Sequence, residues 1–242
     1  MFYRSVLVSA LVTFAALAPA HAMELRNSPK AVLELFTSQG CSSCPKADAL
    51  LSEMGGRMDY IALAYHVDYW DYIGWPDTFG AKANSDRQRS YAASWGSSRI
   101  FTPQLIVNGV KGVVASRQNE VEGAVASTGL NLPVQLSPVG DMLEVSIGMD
   151  EALDEAVVWL IPFIEKADVS IERGENGGKT VTYTHIVTGR QAMGMWEPGK
   201  GAQFKLPLSE VLPEGSNGAV VMVQQERDGL PGRILGAASY IN

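Results

Sequence analysis

The chain has 242 residues, two cysteines and a formal net charge of −7. Its length is enough for two domains of ordinary size. With 26 acidic and 19 basic residues, and no basic cluster in either half, the sequence argues against nucleic acid as a partner.

Residues 1–22 have the pattern of a secretory signal peptide. Arg4 gives a positive start, residues 6–18 form an apolar run, and Ala20-His21-Ala22 fits a small-x-small cleavage site. The run is too short to span a bilayer, and an uncleaved anchor is the alternative. We therefore expect a periplasmic or secreted protein that begins near Met23, has no membrane span after cleavage and works in an oxidising compartment.

The most informative local pattern is Cys41-Ser42-Ser43-Cys44, which contains both cysteines. The apolar residues 31–36 before it predict a buried strand, and helical spacing of apolar residues after it predicts a helix. A C-x-x-C that ends a strand and opens a helix is typical of a thioredoxin-like redox site. The positive end of a helix stabilises a thiolate at Cys41, and Cys44 is close enough to close a disulfide.

Two other interpretations of the cysteine pair stay open. A purely structural disulfide is one, although a loop this short gains only about 2 kcal/mol in the chain-entropy model. A metal site for Cu(I) is the other. It would use Cys41 and Cys44 together with His66 or a methionine, because two cysteines alone underfill a zinc site.

The rest of the first half predicts a thioredoxin-like order of elements. Four patterns predict, in turn, a strand, a helix, a β-hairpin and a helix (58–64, 81–95, 104–114 and 118–127). Asn108-Gly109 between two apolar runs is a strong hairpin signal. We assign residues 23–130 to this redox domain, with parallel strands joined by a crossover connection.

The predicted topology brings Thr102-Pro103 to the edge of the sheet that carries the cysteines. Parallel strands share an edge at their C-terminal ends, and the first hairpin strand runs the opposite way, so it begins there. We expect a cis bond before Pro103, which would leave the backbone of Thr102 free to pair with an extended substrate beside Cys41. An ordinary trans proline that opens an edge strand is the alternative.

Glu34 is a carboxylate inside the apolar strand that precedes the cysteines. We expect it to be at least half buried beneath the disulfide, where it could take the proton of Cys44 during exchange. An ion pair with Lys30 or with another surface cation is the alternative.

Residues 65–75 contain five aromatic residues, two acids and a histidine. We expect this segment to line a groove beside the cysteines, with Trp70 and Trp75 contacting apolar groups of a substrate. His66 or Asp68 could tune the thiolate. The alternative is an aromatic cap on the core with a hydrogen-bonded His66. By contrast, residues 86–89 predict a solvated helix face.

From residue 131 onward the sequence pattern changes to short β-prone runs separated by turn residues. Seven such runs predict an all-β, sandwich-like domain over residues 131–242 (134–136, 143–147, 156–163, 180–187, 202–206, 219–225 and 234–240). Residues 174–180 resemble a phosphate loop but lie between two strands, so we predict a hairpin turn. His185 and residues 193–195 are interpreted as packing rather than as soft metal ligands. This half could dock a partner or shield the redox edge.

These motifs together resemble a family of secreted, thioredoxin-like bacterial proteins of unknown function. The resemblance rests on residues 34–45, 65–71, 102–104, 107–109 and 173–176. It spans nearly the whole mature chain and implies a thioredoxin-like fold in a Gram-negative periplasm. It does not imply a substrate.

More distantly, the redox segment is similar to Dsb-type oxidoreductases and thioredoxins. That similarity implies an attacking cysteine at Cys41, a resolving cysteine at Cys44 and a cis-proline at Pro103. Dsb-type oxidases carry a glutamate in the equivalent strand, which Glu34 matches only with one extra residue before Cys41. Strong oxidases often have a histidine between the cysteines, so the two serines here do not imply a strongly oxidising potential.

The sequence therefore predicts an α/β thioredoxin-like domain followed by an all-β sandwich-like domain. We expect it to exchange a Cys41–Cys44 dithiol or disulfide with protein thiols or disulfides and with an unidentified redox partner, without an organic cofactor. The candidate catalytic residues are Cys41, Cys44, Thr102, Pro103, Glu34 and His66. A Cu(I)-binding thiol module and a non-enzymatic interaction protein are the alternatives.

Overall fold

The computed structural model describes residues 23–242, so the predicted signal peptide lies outside the described residues. Within this range no helix is both long enough and apolar enough to cross a membrane. The helices are α1 (Pro45–Gly55), α2 (Lys82–Ser94), α3 (Gln118–Ala126) and α4 (Leu208–Val211). The strands of the first half are β1 (Glu24–Arg26), β2 (Ala31–Thr37), β3 (Tyr60–His66), β4 (Gln104–Val107) and β5 (Lys111–Val114). Those of the second half are β6 (Val134–Val139), β7 (Met142–Ile147), β8 (Ala156–Ile171), β9 (Lys179–Val187), β10 (Gln191–Trp196), β11 (Ala202–Pro207), β12 (Gly218–Arg227) and β13 (Leu230–Ile241).

The predicted strands and helices of the first half are confirmed in their order. β2 lies in the centre, pairs in parallel with β3 and antiparallel with β4, and β5 completes the hairpin. Every residue of β2 and β3 is buried. This explains their nearly continuous apolar sequence, because a central strand has core on both faces.

The two helices that bear on the site cover opposite faces of this part of the sheet. Leu33 and Leu35 of β2 pack with Leu51 of α1. Phe36, on the other face, packs in a separate cluster with Tyr91 of α2. Because side chains alternate along a strand, the parity of a β2 residue decides which helix it faces.

Both halves of the chain contribute to one sheet of ten strands. Its order is β1-β13-β12-β8-β9-β3-β2-β4-β5, with β10 paired to β8. The halves join at two places: β1 pairs antiparallel with β13, and β3 pairs in parallel with β9 through Ala64 and Ile186. The boundary predicted near residue 130 is therefore not a break in the sheet.

The second half also forms a smaller sheet of three strands in the order β11-β7-β6. Its inward residues, including Leu143 and Val145, share a core with Val158 of β8 and Val221 of β12. All seven predicted strands of this half are present, and β10 was not predicted.

The short first strand is tied to the end of α1 by a buried arginine. Arg26 Nη1 donates to the carbonyl oxygens of Gly55 at 2.6 Å, Arg57 at 3.0 Å and Tyr60 at 2.7 Å. The guanidinium group thus satisfies the Gly55 carbonyl, which the helix end leaves without an intrahelical partner, and two carbonyls of the chain that leads into β3. The helix that follows the cysteines is fixed at its far end in this way.

Candidate functional site

Cys41 and Cys44 form a disulfide at the start of α1, as the sequence predicted. Cys44 is the N-cap residue, and Pro45 occupies the first helical position, where its missing N–H costs nothing. The backbone N–H of Cys44 donates to the carbonyl oxygen of Cys41 at 3.2 Å. Both cysteines are buried, with 1% of Cys41 and 0% of Cys44 exposed.

The disulfide is covered by the turn between β8 and β9, which comes from the second half of the chain. Asn176 of this turn is 1% exposed. Its side-chain Nδ2 donates to the carbonyl oxygens of Gln39 at 2.9 Å and Cys41 at 3.0 Å. Glu175 Oε2 accepts a hydrogen bond from the backbone N–H of Ser42 at 3.3 Å. The predicted hairpin turn is therefore present, and it closes over the cysteines.

The Thr102–Pro103 peptide bond is cis, as predicted. Trp70 links this bond to the loop before the cysteines. A Cβ added at Gly40 would lie 3.3 Å from Trp70 Cβ, so the two residues are in close contact. Trp70 Nε1 also donates to Thr102 Oγ1 at 2.8 Å. Thr102 and Pro103 therefore lie beside the loop that leads into Cys41.

The aromatic segment also holds the loop before Cys41 through Gln39. Trp75 Nε1 donates to Gln39 Oε1 at 2.8 Å. The backbone N–H of Gln39 donates to Asp77 Oδ2 at 2.7 Å, and the same oxygen lies 2.7 Å from His66 Nδ1. Asp68 points elsewhere, because its Oδ1 accepts a hydrogen bond from Ser85 Oγ of α2. His66, but not Asp68, is thus connected to the disulfide loop.

A buried polar cluster lies between α1 and the sheet, next to the cysteines. Thr37 and His66 are directly paired on β2 and β3. Thr37 Oγ1 donates to Asp48 Oδ1 at 2.7 Å, and Asp48 lies one helical turn after Cys44. Tyr183 packs edge-on against the His66 ring, with centroids 4.9 Å apart. Asp48 Oδ2, His66 Nε2 and the Tyr183 hydroxyl have no hydrogen-bond partner among the described residues.

The carboxyl group of Asp48 titrates near neutral pH. Burial raises its pKa to about 7, attraction to His66 and the hydrogen bond from Thr37 oppose this rise, and Asp77 adds to it. A group whose pKa lies near the working pH can accept and return a proton with little free-energy difference. A pKa of about 7 makes Asp48 the candidate acid–base group of this cluster.

The position of Glu34 corrects the role expected for it. Glu34 is buried, but its Oε1 accepts hydrogen bonds from Arg87 Nε at 2.9 Å and Nη2 at 2.5 Å, and its Oε2 accepts one from Tyr91. Its place in the β2 alternation puts it on the α2 face, away from Cys44. The ion-pair alternative is right, although the partner is the buried Arg87 and not a surface cation.

The same contacts correct the prediction of a solvated face at residues 86–89. Arg87 and Gln88 are buried, while Arg89 is exposed and Asp86 is partly exposed. Arg87 points inward because it neutralises Glu34, and Gln88 donates to Gln104 Oε1 at 2.8 Å. A buried acid is satisfied either by a buried cation or by its own protonation, and here Arg87 supplies the cation.

Several residues of the site were not singled out as functional from the sequence. They include Asp48, Asp77, Glu175, Asn176 and Tyr183. Asp48 had a usable signal, because it is an acid four residues after Cys44 in an otherwise apolar helix face. Asn176 contacts Cys41 across 135 positions of sequence, and no local pattern indicates that contact.

The donor groups named for the metal alternative make other contacts in this structure, and that alternative stays open. Within residues 23–242, no group of three or more His, Cys, Asp and Glu side chains is placed to hold a metal ion. Cys41 and Cys44 are bonded to each other, and His66 Nδ1 is bonded to Asp77.

Residues 32–224 match a protein family described as "Protein of unknown function (DUF1223)". The chain belongs to this family. It is similar to the crystal structure of protein AGR_C_4864 from Agrobacterium tumefaciens, with 35% identity, a TM-score of 0.80, and coverage of 88% of this chain and 95% of that chain. It also resembles the structure of HBP35 of Porphyromonas gingivalis, with 14% identity, a TM-score of 0.56, and coverage of 88% of this chain and 76% of that chain.

The second of these likenesses shows the fold alone, because so few residues are shared. No curated protein matches the chain. The family of unknown function expected from the motifs is thus confirmed, together with the disulfide in its C-x-x-C motif. Its thioredoxin-like character and its periplasmic setting stay predictions.

Proposed function

We propose that this protein is a periplasmic or secreted thiol–disulfide oxidoreductase whose first half is thioredoxin-like. The observation that carries the proposal is the Cys41–Cys44 disulfide at the first turn of α1, one turn before the buried Asp48. A helix N-terminus favours a thiolate, and a buried carboxyl with a pKa of about 7 favours proton exchange. A purely structural bridge would need neither feature.

The exchange consists of two sulfur transfers. A substrate thiolate attacks the sulfur of Cys41, the Cys41–Cys44 bond breaks, and a mixed disulfide forms while Cys44 leaves as a thiolate. A second substrate thiolate then attacks the substrate sulfur of that mixed disulfide and releases Cys41. Two electrons pass to the cysteine pair, and the two substrate protons end on Cys41 and Cys44. The reverse sequence reduces a substrate disulfide.

Asp48 is the group we assign to the proton of Cys44. In one direction it protonates the departing Cys44 thiolate, and in the other it takes the proton before Cys44 attacks the mixed disulfide. Thr37 holds one carboxyl oxygen, and Asp77 orients His66 beside it. Thr102 and Pro103 lie at the edge where an extended substrate would reach Cys41.

The covering turn has to move for a protein substrate to react. Cys41 is 1% exposed, and the hydrogen bonds of Asn176 hold the turn against the cysteine backbone. A displaced turn would expose the sulfur together with the edge at Thr102. The second half would then control how often the redox site is open.

The direct test is to trap the mixed disulfide on single-cysteine variants. Reduced Cys44→Ser protein is mixed with oxidised glutathione, and the glutathione adduct is measured by mass spectrometry over time. We expect the remaining Cys41 to form the adduct much faster than the remaining Cys44 in the matched Cys41→Ser variant. The proposal would be wrong if both variants form the adduct at the same rate and if that rate is no faster than the rate of the same variants unfolded in urea.

A further inference from the structure

A cavity of about 420 Å³ lies beside the junction of β3 with β9, where the two halves of the chain pair. β3 and β9 pair only through Ala64 and Ile186, and the segments that follow line opposite walls of the cavity. One wall is formed by residues 186–190 and the other by the start of α2. Neither cysteine lines the cavity, so it is separate from the disulfide site.

The charged side chains that line the cavity are all cationic. Phe79, Ile186 and Val187 supply apolar surface. Arg87 and Arg190 supply two guanidinium groups, and among the described residues that line the cavity none is acidic. A cavity of this size with apolar walls and a few polar groups is typical of a small-molecule site.

The two arginines differ in how well they are neutralised. Arg87 is bound by Glu34 at 2.5 Å. Arg190 has a single, longer ion pair with Glu226 at 3.3 Å, and its guanidinium group lies over the Trp159 ring at 3.2 Å from the centroid. Burial, and then repulsion by Arg87, lower the pKa of Arg190 below its usual value. Arg190 thus has an incomplete complement of acceptors.

The Arg190 side chain is partly open to the cavity. A quarter of it is exposed, and its buried Nε has no hydrogen-bond partner among the described residues. A buried polar group without a partner is unfavourable, and native structures rarely retain one without a reason. A planar anion would satisfy both the charge and the donor geometry of a guanidinium group.

We propose that this cavity binds a small organic anion, a carboxylate carried on an apolar group. The carboxylate accepts hydrogen bonds from the guanidinium group of Arg190, and the apolar group packs against Phe79 and Ile186. This site is independent of thiol–disulfide exchange. Its ligand contacts both halves of the chain beside the junction of β3 with β9.

Phenylacetate is a suitable probe, and phenylacetamide is its neutral counterpart of the same shape. Binding of each to the oxidised full chain is measured by isothermal titration calorimetry and by NMR chemical-shift changes. Arg190→Gln removes the proposed cation. Ala83→Trp fills the mouth of the cavity from an exposed position of α2 and keeps both arginines. Arg89→Gln is the matched control, because this exposed arginine of α2 does not line the cavity.

We expect saturable binding of phenylacetate and at least tenfold weaker binding of phenylacetamide. Arg190→Gln and Ala83→Trp each weaken phenylacetate binding at least tenfold, while Arg89→Gln changes it less than twofold. Near-UV circular dichroism establishes whether each variant is folded. If Arg190→Gln does not fold, the result with Ala83→Trp alone tests the proposal. Absence of saturable binding, equal binding of the two probes, or binding that survives Ala83→Trp would overturn the proposal.

Discussion

Asn176, in the turn between β8 and β9, donates its side-chain amide to the carbonyl oxygen of Cys41 at 3.0 Å. The same amide donates to Gln39 at 2.9 Å, so one side chain from the second half holds two carbonyls of the cysteine loop. The two halves are therefore in contact at the disulfide as well as in the sheet. We expect access to the disulfide to depend on this contact.

Replacing Asn176 with alanine should speed reduction of the disulfide. The change removes two buried hydrogen bonds, each worth about 1 kcal/mol, so the covering turn should open roughly thirtyfold more often. The measurement is the rate of reduction by dithiothreitol, followed by thiol labelling. Asn27→Ala is the control, since Asn27 binds the distant Leu136. An unchanged rate in Asn176→Ala would mean that the turn does not limit access.

Replacing Glu175 with glutamine should make the cysteine pair easier to reduce. Glu175 places a negative charge on the backbone N–H of Ser42, at the end of the helix that would otherwise favour a Cys41 thiolate. We expect the equilibrium with glutathione to shift about two- to threefold toward the dithiol, less at high salt because the pair is exposed. Glu172→Gln, on the same hairpin, should have no effect. A shift toward the disulfide would refute this account of Glu175.

Asp48 should make the protein less stable as pH rises through the acid range. Unfolded, its carboxyl ionises near pH 3.8, whereas the folded pKa is about 7, so the folded state binds more protons between these values. The free energy of unfolding should fall by up to about 4 kcal/mol across this window from this group alone. Asp48→Asn should remove that fall. The free energy of unfolding is measured with urea on the oxidised protein at several pH values, and the exposed Asp154→Asn is the control. Parallel pH profiles for Asp48→Asn and the parent would contradict this prediction.

His185 should have the opposite effect over an overlapping range. Burial, and then the charge of Arg26, lower the pKa of His185 from 6.5 to about 4. Between these values the unfolded state binds more protons, so stability is lost as pH falls. We therefore expect the difference in free energy of unfolding between His185→Gln and the parent to favour the variant more at pH 4.5 than at pH 7.5. Denaturant titration at the two pH values measures this difference. The same difference at both pH values would show that His185 is not buried in its neutral form.

Glu34 should support the fold and leave the chemistry unchanged. Glu34→Gln leaves the buried Arg87 without its counter-charge, which should cost about 3–5 kcal/mol of stability. The double variant Glu34→Leu with Arg87→Met should recover most of that loss. The pH profile of dithiothreitol reduction of the Cys41–Cys44 disulfide should be the same with and without Glu34→Gln. A shifted profile would restore the proton-transfer role expected from the sequence.

Local patterns were sufficient for the elements that carry the disulfide. The apolar run of β2, the helical spacing after Cys44 and the Asn-Gly turn of the β4–β5 hairpin each appear where the sequence placed them. Each of these signals depends on residues a few positions apart. The cis peptide bond at Pro103 was also expected, because strand directions alone bring it to that edge.

Contacts between distant residues were beyond those patterns. The parity of Glu34 within β2 depends on which face α1 covers, and this determines whether Glu34 meets Cys44 or Arg87. The pairing of β3 with β9 involves one pair of residues, so it left no repeated signal in either strand. The contact of Asn176 with Cys41 also joins residues far apart in the sequence, so no local pattern predicted it.

The reduction potential of the Cys41–Cys44 pair tests the central claim most directly. The full chain is equilibrated in glutathione buffers of set potential, the thiols are trapped by alkylation, and the reduced fraction is measured by mass spectrometry. We expect a reversible two-electron transition with a midpoint between about −270 and −120 mV, the range of known thiol–disulfide oxidoreductases. A midpoint below about −300 mV, which is typical of structural disulfides, would contradict the proposed function.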